Sequence, residues 1–169
     1  IRGVYDSIRF SGGDRAKILS LDQWGTNSWT SMESAFRFAV NLTIPAIDTP
    51  DFSLVTDMSG MFYGARWAIL DASGWNTAAV TDMSSMFQGA TSANPDTSGW
   101  VTSKVTNMAS MFNSASSANP NTSGWDTSSV TSMASMFNGC VLANPDTSGW
   151  NAALVIDMNQ MFLHAHVAN

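Results

Sequence analysis

One step length, 25 residues, runs through most of this 169-residue chain and limits what it can fold into. Trp75, Trp100, Trp125 and Trp150 keep that step, as do Val55, Val80, Val105, Val130 and Val155. Phe62, Phe87, Phe112, Phe137 and Phe162 keep it too. The consensus unit reads N-P-D-T-S-G-W-x-T-S-x-V-T-x-M-x-S-M-F-x-x-A, and ten of the eleven methionines fall on its two Met positions. Met32 sits in a degenerate earlier copy, Trp29 to Ala39. A unit of this length cannot close a core alone, so neighbouring units must stack and share one.

Within a unit, Val105, Met108, Met111, Phe112 and Ala115 follow the apolar spacing of a short amphipathic helix. Asp57, Asp82 and Asp157 would then lie in the first helical turn, where the helix dipole favours negative charge. The stretch Pro95 to Trp100 is too short and polar for a second helix and reads as a turn and a brief strand. Strands pack about 4.8 Å apart and helices 8–10 Å apart, so such a stack must curve. The expected fold class is α/β: a curved, right-handed, leucine-rich-repeat-like solenoid with short parallel strands on the concave side and short helices on the convex side. Its expected core is Val80, Met83, Met86 and Phe87, then Val105, Met108, Met111 and Phe112, then Val130, Met133, Met136, Phe137 and Cys140.

Residues 1–28 do not fit the unit. They carry Val4, Ile8, Phe10, Ile18, Leu19 and Leu21 among several charges. An end coil has an open core face, so 1–28 is expected to be an N-terminal cap and 29–169 the repeat array, together one domain. Pro45 and Pro50 mark an irregular connection between Asn41 and Phe52. The chain stops at Asn169, in register with Asn94, Asn119 and Asn144, and is expected to be a piece of a longer polypeptide.

Charged residues make up 12% of the chain, net charge is −6 and the pI is near 4.4. That balance argues against phosphate backbones as the main partner, so no nucleic acid is expected. No apolar run reaches the length of a membrane span, so no direct membrane insertion is expected. A lone cysteine, Cys140, excludes an internal disulfide and a cysteine-rich zinc site. No Ser-His-Asp constellation or phosphate loop occurs, so no enzyme activity and no cofactor are expected.

The units W-N-T-A-A-V-T-D-M-S-S-M-F-Q-G-A (75–90) and W-D-T-S-S-V-T-S-M-A-S-M-F-N-G-C (125–140) resemble the BspA-like bacterial surface-protein repeat. This is a leucine-rich-repeat relative also found in mycoplasma-type lipoproteins. The leader K-I-L-S-L-D-Q-W-G (17–25) and the segments at 29–36 and 48–62 look like the entry to such an array. The resemblance implies a cell-surface or extracellular setting and adhesion to a protein or glycan on another cell or matrix. It brings no catalytic residues. The chain departs from the family pattern at Ala93 and Thr97, where larger residues are usual.

On a strand with Thr97 facing inward, Trp100 would face out. Trp75, Trp100, Trp125 and Trp150 would then form an exposed ladder able to hold sugar rings or apolar side chains. The other reading returns each Trp to the core by a bend at Gly99, and a Trp repeated in every coil is more often a structural stack. Asn76, Val101, Asp126 and Asn151, directly after each Trp, are the varied positions where tuned contacts are expected. Asp96, Asn121 and Asp146 form a polar row, but no dense acidic loop accompanies it, so no metal site is expected. His164 and His166 fall in a turn near the chain end. The expected function is a non-enzymatic binding or adhesion module. The alternative is a scaffold or spacer subunit contacting only neighbouring subunits of an assembly.

Overall fold

The computed structural model describes residues 6–10, 12–68 and 70–167; Val4 and Asn169 lie outside these. The 25-residue units stack as coils, but the expected α/β solenoid of strands and helices is overturned. The chain is 3% helical and 7% strand, and no sheet occurs among the described residues. Among the described residues the one helix is a 3₁₀ segment, Gly12–Lys17. Strand pairing is reduced to isolated parallel bridges, running Asp57 to Asp82 to Asn107 to Ser132 to Asp157. Earlier bridges join Ser7 to Ser31, Ser20 to Thr43 and Ser28 to Asp51, so the non-repeating segment also pairs with the coil after it.

The expected helix over 105–115 is instead a run of turns. Met111 N–H donates to Met108 O, Asn113 to Ser110 and Ala115 to Phe112, each spanning three residues. Alternate N–H groups leave the coil: Met108 donates to Ser132 O, Ser110 to Ala134 O, Phe112 to Met136 O and Ser114 to Asn138 O, at 2.7–3.0 Å. Just before the bridge residue the direction reverses, and Thr106 N–H donates back to Thr81 O at 2.8 Å. The backbone is therefore satisfied half within a coil and half between coils, which meets the demand that buried amides be paired.

Two sequence features favour turns over helix. Ser110 and Ser114 have φ of 57° and 60°, and the same two positions in other coils are taken by Ser85 and Gly89 or by Ser135 and Gly139, all at positive φ. A left-handed residue every fourth position is incompatible with a continuous right-handed helix. The Asx residue ahead of the stripe also competes for the backbone. Asp82 Oδ1 accepts the Ser84 N–H at 2.7 Å, and Asp57, Asn107 and Asp157 do the same two residues on. These acids close turns rather than complement a helix dipole. The expected strand at 95–100 is likewise a turn, closed by Trp100 N–H to Thr97 O at 3.1 Å.

Turns that advance three residues still bring every third side chain inward, so the stripe is buried. All thirteen expected core residues, Val80 through Cys140, have no exposed surface. Phe36, Phe62, Phe87, Phe112, Phe137 and Phe162 form one column of near-parallel rings, 5.4–5.7 Å between centres. The column ends on Phe162, which is 38% exposed.

Candidate functional site

The Trp ladder lies on the core side. Trp75, Trp100 and Trp125 are buried, and Trp150 is half-buried. Trp75 stacks on Trp100 at 6.1 Å and Trp125 on Trp150 at 6.4 Å. Trp100 Nε1 donates to Ala72 O at 3.0 Å, whereas Trp125 Nε1 is buried without a partner among the described residues. The outward reading of Trp100 depended on a strand; with a turn there, the ring lies in the core, which is the other of the two readings. The three buried rings offer no face to a ligand.

Asn76, Val101, Asp126 and Asn151 do stand on the surface in one row. Three of them are engaged locally: Asn76 accepts from Ala78 N–H, Asp126 from Ser128 and Asn151 from Ala153, at 2.9–3.2 Å. Val101 has no such role and is 46% exposed. Behind this row the buried hydroxyls of Thr77, Thr102 and Thr127 donate to the carbonyls of Val101, Asp126 and Asn151, at 2.9–3.0 Å. Those hydroxyls are committed to joining coils.

The acidic row is also tied down. Asp96 and Asp146 accept the N–H of the serine two residues on, and Asn121 does likewise. Hydrogen bonds from the Ser98 and Ser148 hydroxyls, and then from their N–H groups, hold the Asp96 and Asp146 carboxyls below the usual aspartate range. Among the described residues no cluster of His, Cys, Asp and Glu is suited to a metal. Burial pushes the Cys140 thiol up to about 12, which leaves it protonated and unreactive at neutral pH. No described helix is long and apolar enough to cross a membrane.

A second surface cluster was not anticipated, because its members belong to different, imperfect units. Arg15, Arg37, Phe38 and Tyr63 meet beside the first coils. The Arg37 guanidinium carbon lies 4.1 Å from the Tyr63 ring centre and 5.2 Å from that of Phe38, and Arg15 lies 5.6 Å from Phe38. The sequence signal was the crowding of six of the seven cations into the first 66 residues.

No curated protein and no solved structure matches this chain. One family model does, over residues 8–125 and again over 92–169. Together the two matches span both the early, imperfect units and the regular ones. The chain thus belongs to the repeat family described as "Mycoplasma protein of unknown function, DUF285".

Proposed function

We propose that this chain is a non-enzymatic binding module of a cell-surface or extracellular protein, of the BspA-like adhesive kind, that engages a protein or a glycan. The regular coils act as a frame closed at one end by residues 6–10 and 12–28 of the non-repeating segment, and the exposed side chains that differ between coils make the contacts. One observation carries this reading: buried positions repeat nearly unchanged, and so do exposed turn residues such as Asn94, Ser98 and Gly99, whereas two surface positions change from coil to coil. Arg66, Thr91, Ser116, Val141 and His166 occupy one equivalent position, and Asn76, Val101, Asp126 and Asn151 another. Differences that packing does not require are what a recognition surface needs.

Burial of the Trp ladder favours the second reading, a scaffold or spacer, because the most regular aromatic column is spent on cohesion. A screen against glycan and matrix-protein arrays separates the two. Specific binding that weakens in a folded Val101→Ser/Val141→Ser variant, or in one altered near Arg37, supports the module. An array on which the folded wild type binds nothing supports the scaffold.

A further inference from the structure

Two of the early cations are neutralised, Arg9 by Glu33 and Lys17 by Asp14. Arg15 and Arg37 have no carboxylate partner among the described residues, although the chain as a whole is acidic. Arg15 Nε is tethered to the Phe10 carbonyl at 3.3 Å, which leaves its terminal nitrogens free of that bond. Both guanidinium groups lie against Phe38, which meets Tyr63 edge to face at 5.0 Å. Rings that hold planar forks in place reduce the ordering cost of binding an anion.

Phe38 itself is unusual. It has φ of 59° and is 40% exposed. A bulky residue in the left-handed region is strained, and such strain persists where the surroundings demand it. Gly64, at the equivalent position of the next coil, leaves the space its ring occupies.

The two arginines share a cleft of about 150 Å³ with Ser34. Ser34 and Arg37 also line an adjoining groove of about 210 Å³ that continues along Ser59, Ser84 and Ser85. The backbone N–H groups of Ser34, Gly60 and Ser85 are already bonded to the next coil, at 2.8 Å. The groove therefore offers side-chain hydroxyls, not the open backbone edge an extended peptide needs. Ser59 and Ser84 are equivalent in successive coils, Ser34 lies one residue past the same position in the coil before them, and the rings beneath repeat at 5.4 and 5.5 Å. That interval is close to the length of one hexose unit in an extended chain. Glu33 also lines the groove; its charge is paired with Arg9, and its side chain is 45% exposed.

We propose that Arg15 and Arg37 bind the carboxylate or sulfate of an acidic oligosaccharide whose hydroxyl groups lie along Ser34, Ser59 and Ser84. This rests on the binding-module reading and supplies it with a ligand class and a site.

The test is calorimetric titration of the intact chain with four probes: tetragalacturonate, a sulfated chondroitin tetrasaccharide, neutral maltotetraose and pentaglutamate. At least one acidic sugar is expected to bind, more weakly as salt rises. Arg15→Gln and Arg37→Gln should each weaken it about tenfold or more, the loss of a charge-assisted contact. Arg37→Lys should recover only part, having charge without a fork. Arg15 is at the periphery of the packed coils, so its variant keeps the test decisive if Arg37→Gln melts early. The two acidic probes tell carboxylate from sulfate. Unchanged affinity in folded Arg15→Gln would overturn the proposal, as would pentaglutamate binding as well as either sugar. Failure of both acidic sugars while the arrays show another ligand removes this site and leaves the binding-module reading standing; silence in both removes both.

Discussion

The ring of Phe38 lies where a side chain on Gly64 would stand. A Cβ placed on Gly64 comes within 2.7 Å of Phe38 Cδ1, and Gly64 is at φ +68°. The arginine cluster and the coil geometry thus depend on one another through a missing methyl group.

Gly64→Ala should therefore cost about 2 kcal/mol, from the left-handed backbone and the displaced ring together. It should also shift the aromatic signal of Phe38 and Tyr63. Gly89, at φ +70°, has only backbone atoms at 3.8 Å or more from such a Cβ. Gly89→Ala should accordingly be milder. Equal melting temperatures for the two variants would contradict the placement of Phe38.

Ser110 tests turns against helix directly. At φ 57° it occupies the position that Gly60 takes, at φ +60°, in an earlier coil. Relief of left-handed strain exceeds the added chain entropy, so Ser110→Gly should stabilise by about 0.5–1 kcal/mol. In a helix the same change would destabilise. Chemical denaturation of the two proteins reads the sign.

The threonine rows should divide by burial. Thr127 Oγ1 is buried, donates to Asn151 O at 3.0 Å and accepts from Asn151 N–H at 2.8 Å. Thr127→Val keeps the shape but leaves both backbone groups unpaired, at a cost of about 2 kcal/mol. Thr106 is exposed and donates to a carbonyl that its own N–H already serves. Thr106→Val should change stability by less than about 0.5 kcal/mol. A comparison of urea midpoints decides.

The surface aspartates predict the acid limb of stability. Asp71 is held below its ordinary value first by the Ser73 hydroxyl and then by its N–H, Asp126 by Ser128, and Asp96 and Asp146 by Ser98 and Ser148. Folded values below the unfolded ones mean that this stabilisation is present above the ordinary aspartate range and is lost as pH falls through the lowered values. Denaturation midpoints should be flat near neutrality and fall below about pH 4. A Ser73→Ala/Ser98→Ala/Ser148→Ala variant should show a shallower fall, and an unaltered acid limb would remove these bonds from the account.

Several parts of the molecule are legible in the residues themselves. The 25-residue step, the inward set from Val80 to Cys140 and the stacking of like on like follow from apolar spacing, because one periodic core demands the same filler in every coil. The backbone beneath that pattern is not legible in the same way. Val105, Met108, Met111 and Phe112 at intervals of three and one suit a helix and a run of three-residue turns equally well. What separates the two is where alternate N–H groups find acceptors, and those acceptors sit 24 residues away in Ser132, Ala134 and Met136. The face of Trp100 hung on the same choice, since a turn reverses what a strand would expose. The cluster of Arg15, Arg37, Phe38 and Tyr63 is likewise a product of stacking: no short motif joins these residues, and only coils packed in register bring them onto one surface.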